Sequence, residues 1–413
     1  MAQVNITLTP EEVLQVLAGN RDEAFKFLVE RILDEVMLFE SAEQLKAEKH
    51  ERTEERQDYR NGTRERPLNT RIGTIVLRVP RHRNEPFHTT VFENYARSEA
   101  ALIAAMIQMV IEGVSTRKVS KVVETLCGTS FSKSTVSELC KNIDTEIQAF
   151  KTRSLDDLDA PFLMVDATYF KARENHKVVP KAFLVALAIK SSGCREIVGF
   201  DVFDAEDNYS WLSFFKSLKS RGLTNVRMVI SDGHRSILKA ICKTYPEAAW
   251  QRCQVHFTRN ILDATPSKLQ KGLSTELRNM FTADNIAEAR KIRDEIISDY
   301  EPVAAEAMEI LDKGFEDSMT VMTLPKGARI RLRSTNIIER LNREFKRRSD
   351  VIQVFPNSAS ILRIMGAVAI ECNDSYTVKE RVFGKVAYTT IKAESFPALE
   401  RIAATQQALL EAA

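Results

Sequence analysis

No apolar run in this chain reaches the ~18 residues that a membrane-crossing helix needs. That argues against a helical membrane protein and predicts no membrane partner. The opening MAQVNITLTPEEVLQVL lacks a basic segment followed by an apolar one, so no secretory leader is expected. Six cysteines (Cys127, Cys140, Cys194, Cys242, Cys253 and Cys372) are scattered without a framework spacing. They read as reduced thiols of a cytoplasmic protein, which excludes the small disulfide-built class. Internal repeats and low-complexity tracts are also absent. A length of 413 residues allows two or three domains at ~150 residues each.

The chain does have charge, unevenly spread. Its formal net charge is only +2, with 28% charged residues. Yet residues 326–348 carry nine Lys or Arg against two Glu, and residues 52–83 carry nine Arg against four acids. Two basic tracts in a nearly neutral chain fit polyanion contacts at particular surfaces, or solvated charged faces.

Residues 9–39 read as a helix, with Thr9 as cap and Pro10 in the first turn. Residues 42–60 are charged, and Asn61-Gly62 gives a turn signal. Residues 72–79 alternate apolar and polar and read as a strand whose partner the sequence does not identify. Residues 99–152 read as three helices, with Ser115 and Ser132 as caps of the second and third. A tight turn joins those two. Either they form a helix-turn-helix that presents Lys133, Ser134, Thr135 and Ser137 to a DNA groove, or they are a plain helical hairpin.

From Pro161 the texture changes. FLMVDAT, KAFLVALAIK and CREIVGFDVF read as three strands, followed by a helix over 208–222. VRMVISDG is a strand, 234–246 a helix and AAWQRC a short strand. This order predicts an α/β core on a mixed sheet of ribonuclease-H-like type. Residues 255–325 look helical throughout and read as an all-helical insertion in that core; the core itself is preceded by the mainly helical region, a DNA-binding region if the helix-turn-helix alternative holds.

Asp166 and Asp232 stand at the ends of strongly apolar strands. Carboxylates are costly there unless something neutralises them. Strand ends are also where open α/β sheets place ligands. Two such acids suit a hard cation, and each alone also suits a turn. A third acid comes from STNIIERLNREFKRR, where Ser334 or Thr335 can cap a helix and Ile337, Ile338 and Leu341 can pack it. Glu339 sits among apolar neighbours. Glu344 competes for the role, but lies about 140° further round the helix and can pair with nearby basic residues. Arg333, Arg340, Arg343, Arg347 and Arg348 surround Glu339, which suits an anionic substrate such as a phosphodiester. Three acids holding two ions would serve an in-line displacement at phosphorus. Cys253 and His256 have the C-x2-H spacing of half a zinc site, but no second pair follows, so a structural or substrate-orienting role is expected. His234 either touches phosphate or simply begins a helix. Trp211 reads as core.

The motifs DATYFKAR, VISDGHRS, WQRCQVHFTRN and STNIIERLNREFKRR, in this order, resemble the bacterial mutator-type insertion-sequence transposases. YRNGTRERPLNTRIGTIVLRVPRHR and EGVSTRKVSKVVETLCGTSFSKSTVSEL match that family too, so the resemblance covers roughly residues 55–370. It implies a DDE triad, which falls on Asp166, Asp232 and Glu339 and selects Glu339 over Glu344. It further implies two Mg2+ or Mn2+ ions on those acids and a ribonuclease-H-like domain with its helical insertion between Asp232 and Glu339. The family's C-x2-H motif falls on Cys253 and His256. Implied partners are DNA, as terminal inverted repeats and target, and further copies of the chain in a homodimer or larger assembly that pairs two element ends. Excised circular intermediates and a bacterial cytoplasm, at the nucleoid when DNA is bound, are implied as well.

The expected organisation is a helical and basic region over 1–95 for DNA binding or dimerisation, and a helix-turn-helix-like region over 96–155. The catalytic core follows over 156–254, the insertion over 255–330, the Glu-bearing and following helices over 331–375, and a tail over 376–413. Two other functions compete. One is a ribonuclease-H-like nuclease that cuts without strand transfer, and the other a non-catalytic DNA-binding regulator, which leaves the three acids without a purpose.

Overall fold

In the computed structural model the described residues are 9–10, 13, 21–48, 51, 53, 55–70, 72–89, 91, 100–112, 114–127, 131–376 and 381–412. The chain divides into two compact units, Met1–Lys141 and Asn142–Ala413.

In the first unit, helix α1 (Arg21–Leu45) runs past the expected end at 39, while most of 11–20 lies outside the described residues. Strands β1 (Arg60–Thr70) and β2 (Gly73–His82) pair antiparallel. β1 is the missing partner of the lone strand, and this corrects the turn-rich reading of its segment. Asn61-Gly62 marks a register shift between Arg60 and Thr63, with Gly62 at φ 74°. β1 escaped notice because only Leu68 and Thr70 in it are buried, so it shows no apolar alternation. A two-stranded sheet is marginal alone. Here α1 covers it, packing Met37 against Leu68, Ile75, Leu77 and Val79. Glu30 and Asp34, one helical turn apart, also accept hydrogen bonds from the β2 backbone at Val76 N and Arg78 N, both at 2.8 Å. Two groups of an open strand edge are thereby satisfied.

Helices α2 (Ala100–Ile111), α3 (Thr116–Cys127) and α4 (Lys133–Leu139) come next and pack on one another. Ser115 caps α3 by accepting from Lys118 N at 3.4 Å, and Ser132 caps α4 by accepting from Thr135 N at 3.0 Å. The expected turn between them falls partly on 128–130, outside the described residues. The expected third helix is interrupted by a 3-10 turn, Cys140–Asn142. Beyond that turn, helix α5 (Ile143–Thr152) belongs to the second unit, so the boundary expected at 155 lies near 141. Its Asp144 receives two hydrogen bonds from Arg363, at 2.7 and 2.6 Å, and Ile143 and Ile147 are buried.

The second unit is built on strands β3 (Phe162–Glu174), β4 (Lys177–Ile189) and β5 (Arg195–Phe203), then helix α6 (Asn208–Ser220) and strand β6 (Met228–Ser231). Helix α7 (Arg235–Thr244) and strand β7 (Ala249–Arg252) complete it. The sheet order is β5-β4-β3-β6-β7. β3, β4 and β5 pair antiparallel in sequence, while β6 and β7 run parallel to β3. Side chains alternate between the faces. Leu163, Val165, Leu184 and Ala186 pack with Trp211, Phe215 and Ile241 from α6 and α7. Trp211 is fully buried, a core residue as expected. Phe183 points to the other face and meets Phe345 edge-on at 5.1 Å.

Between β7 and that Phe345 the chain is helical: α8 (Gln254–Asp263), α9 (Ser267–Thr282), α10 (Ile286–Ser318) and α11 (Lys326–Leu332), with a 3-10 turn at Thr320–Thr323. These helices have a core of their own, centred on Phe257, Leu277, Leu311 and Phe315. α10 is kinked at Ala304 (φ −150°, ψ 48°), just after Pro302, which lacks an N–H and crowds the preceding turn. Helices α12 (Asn336–Ile352) and α13 (Ser358–Tyr376) then lie on the sheet, α12 against β3 and α13 along β5.

The expected tail is instead structured, as α14 (Lys385–Thr390) and α15 (Phe396–Ala412) joined by a π-type turn. Gln406 on α15 accepts from Trp250 N at 2.8 Å and donates to Trp250 O at 2.9 Å. Its amide thus acts as one more strand residue on the edge of β7, which explains why α15 docks there. Among the described residues no helix is long and apolar enough to cross a membrane.

Candidate active site

The site is assembled at the end of the sheet where β6 stops. β3 continues to Glu174 along β4, so Asp166 lies within its strand and not at its end as expected. It does lie just beyond the part of β3 that β6 accompanies: Phe162, Leu163 and Met164 pair with Met228, Val229 and Ile230. Continuing that register by two residues sets Asp166 opposite Asp232, the first residue after β6. By the alternation of β3, Asp166 shares the face of Phe162 and Met164, the face that α12 covers.

Three ties bring the Glu339 segment to this point. Cys253 N donates to Ser231 O at 2.7 Å, which fixes the start of α8 beside the end of β6. Gln254 N donates to Arg333 O at 3.0 Å, which fixes the turn before α12. Thr335 then donates to Cys253 Sγ from both its backbone N (3.4 Å) and its hydroxyl (3.3 Å). Thr335 is the N-cap residue of α12, but its hydroxyl makes no cap bond and is spent on the sulfur. Glu339 lies in the first turn of α12, and Ile338, Leu341 and Phe345 anchor that helix. One turn after Glu339, Asn342 Nδ2 donates to Asp166 Oδ2 at 2.6 Å.

Burial pushes the Asp166 carboxyl up to about 7; the Ala167 backbone N–H opposes this and the charge of Asp232 adds to it. His256 lies between the acids. Its Nε2 is 3.6 Å from Glu339 Oε1, and its charge draws the Asp166 pKa downward. The pairing with Cys253 raises His256 to about 9, against its burial. Cys253 moves the opposite way: burial alone would raise its thiol, but hydrogen bonds from His256 and Thr335 outweigh that. Glu339 Oε1 and Asn342 Oδ1 are buried with no hydrogen-bond partner among the described residues. Leaving such groups unsatisfied costs about 1–3 kcal/mol each, and oxygens of this kind suit a cation.

The structure brings Cys253, His256 and Glu339 within 4.8 Å of one another, and sets Asp166 where the charges of Asp232 and His256 reach it; among the described residues no group of three potential ligands that includes Asp166 or Asp232 is drawn together that closely. Other predicted residues take other places. His234 is the N-cap residue of α7; its ring bonds Ser236 and its N–H reaches Asp232 Oδ1 at 3.3 Å. Arg340, Arg343 and Arg347 are exposed on α12 and Arg333 is half-buried. Arg348 departs from the DNA-facing expectation: it is 4% exposed and reaches Glu371 on α13 at 3.7 Å. Its place in the repeat turns it inward beside Phe345. Glu344 pairs with Arg347 at 3.1 Å, at the helix surface. Ser134, Thr135 and Ser137 are exposed on α4, and the Lys133 side chain lies outside the described residues.

Two site residues escaped the sequence reading. Asn342 had a signal, since a polar residue three after Glu339 shares its helix face. Glu206 had none. It stands in the loop before α6, accepts from Trp211 Nε1 at 3.2 Å, and has a pKa raised by burial and then by Asp232.

Comparison with known proteins adds the lineage. Residues 1–379 match the family described as "Transposase, Mutator family". The transposase for insertion sequence element IS256 in transposon Tn4001 of Staphylococcus aureus is 41% identical over 93% of this chain and 99% of its own length. The transposase for element ISRM5 of Rhizobium meliloti is 38% identical over 89% of this chain and 92% of its own. For that of element IS1081 of Mycobacterium tuberculosis the identity is 38%, over 83% of each chain.

Proposed function

The chain belongs to the Mutator family of transposases, and from that premise we propose that it binds the inverted repeats at the ends of its element and cuts and joins DNA strands with divalent metal held by Asp166, Asp232 and Glu339. The observation that carries this reading is the convergence of three segments: a desolvated Asp166, aligned with Asp232, tied through Asn342 to the helix that bears Glu339. The order β5-β4-β3-β6-β7, antiparallel then parallel, supports a ribonuclease-H-like core.

The donor set fits Mg2+ or Mn2+, because carboxylate oxygens suit hard cations and Glu339 Oε1 makes no hydrogen bond among the described residues. Two bound ions would activate the attacking oxygen and stabilise the leaving one. The chain's own contribution is to hold the acids. Pairing of β3 with β4 fixes Asp166, and Asp232 directly follows β6. Asn342 Nδ2 keeps one Asp166 oxygen oriented. His256, its pKa raised by Cys253, puts positive charge beside Glu339. Exposed Arg340 and Arg343 on the same helix offer guanidinium groups to a phosphate backbone. Helices α3 and α4, with polar Ser134, Thr135 and Ser137 outward, are the segment we assign to end recognition, and a dimer or larger assembly would pair two ends.

The test uses labelled element ends. Asp166→Asn, Asp232→Asn and Glu339→Gln should each bind ends and fail to cut. A variant that cuts and joins normally removes that acid from the triad. Wild-type protein that cuts but yields no joined product would make the chain a nuclease.

A further inference from the structure

We propose that Cys253, His256 and Glu339 form a separate site for a thiophilic divalent cation such as Zn2+, and that filling it withdraws Glu339 from the sheet acids. The inference rests on the proposed catalytic role of Glu339 for its consequence, but not for the site itself.

The sulfur, an imidazole nitrogen and a carboxylate oxygen of these three residues lie within 4.8 Å of one another. Cys253 precedes α8 and His256 lies in its first turn, so three residues of spacing put both on one side of the helix start. Glu339 reaches in from α12, with Oε1 3.6 Å from His256 Nε2. One potential donor, Glu339 Oε1, is buried and makes no hydrogen bond among the described residues. The sulfur is fully buried and already receives two hydrogen bonds from Thr335, the kind of outer support that orients a metal-bound thiolate. Closing the three ligands on one ion at about 2.0–2.3 Å needs a contraction on the order of an ångström. The Glu339 side chain, 33% exposed, has room for that.

Chemistry separates this site from the magnesium acids. Sulfur and imidazole suit Zn2+, whereas Mg2+ takes oxygen and does not compete for thiolate. Glu339 is common to both sets, so one carboxylate cannot fully serve both. Three protein ligands would leave a fourth position on zinc for water.

The test uses the full chain with Co2+ as a spectroscopic probe and Zn2+ as ligand. Wild type should bind one Co2+ with a thiolate charge-transfer band, displaced by Zn2+ and untouched by Mg2+. Cys253→Ser should lose the band, and His256→Gln, at a partly exposed position, should weaken Zn2+ binding by about tenfold or more. Zn2+ added to a Mg2+-supported cleavage reaction should inhibit wild type, and each variant, whatever its own zinc-free rate, should keep a larger fraction of that rate at the same Zn2+ concentration. Unchanged Co2+ spectrum and Zn2+ affinity in both folded variants would overturn the site. Zn2+ binding that leaves cleavage untouched would overturn the withdrawal of Glu339. Failure of the underlying reading looks different: Glu339→Gln would then cut with Mg2+ whatever zinc does.

Discussion

The sheet and helix α12 hold their acids in different ways. Asp166 and Asp232 depend on strands: Asp166 is paired within the β3–β4 ladder, and Asp232 is the first residue after β6, which pairs with β3 and β7. Glu339 comes back to them after the long helical stretch from Gln254 to Leu332, and its helix is set by side chains and single backbone bonds: Gln254 to Arg333, Thr335 to Cys253, Asn342 to Asp166. A strand position resists single substitutions, because neighbouring residues share the pairing. A helix tied by a few polar contacts moves when one is cut. The catalytic geometry should therefore be fragile on the helix side and robust on the sheet side.

The largest effect should come from the acids themselves. Each of Asp166→Asn, Asp232→Asn and Glu339→Gln should lower strand cleavage by at least about a thousandfold, the upper end for losing a single electrostatic contact in an active site. A smaller loss at Glu339 than at the aspartates would show that the two regions are unequal in function as well as in support. Next, Asn342→Ala should cost about 10–100-fold in cleavage or metal affinity, as outer partners of ligands do, with little change in end binding. If it behaves like wild type, the tie to Asp166 does not position the helix.

The sheet side can be probed through pH. Asp166 has a folded pKa of about 7 against 3.8 unfolded. Its folded carboxyl holds a proton that the unfolded chain gives up, so its contribution favours folding at low pH and is lost as pH rises from about 4 to about 7. Without divalent metal, Asp166→Asn should therefore be more stable than wild type at pH 8, by up to about 4 kcal/mol, with the difference shrinking toward pH 4. Thermal melts across that range check it. A difference independent of pH would contradict the desolvation argument.

At the far edge of the sheet, Gln406→Leu should cost about 1–3 kcal/mol by leaving the buried Trp250 N–H unpaired, while its carbonyl keeps the Thr320 hydroxyl at 2.8 Å. The smallest effect belongs to Glu344→Gln. It removes only an exposed pair with Arg347, so stability should change by less than about 1 kcal/mol and cleavage hardly at all.

The same contrast explains what could be read from the sequence. Strands β3 to β7 announce themselves through apolar runs, because a sheet covered on both faces demands them. The acids within and after those runs are conspicuous for the same reason. β1 was hidden because α1 and β2 supply the apolar partners and its own residues are mostly exposed. Helix α15 was hidden because its docking depends on Gln406, an ordinary polar residue until the edge of β7 is known. Arg348 was misjudged because a basic run gives no sign of which arginine turns inward. Glu206 joins the site through a loop, whose path no periodicity reveals.

The central claim, one cation centre shared by Asp166, Asp232 and Glu339, is tested most directly by loading the protein with Fe2+ in place of Mg2+ and mapping the backbone cuts made by locally generated hydroxyl radicals. Cuts should cluster around residues 166, 232 and 339 together, and disappear in Asp166→Asn. Cuts confined to one of these segments, or undiminished in that variant, would contradict the account.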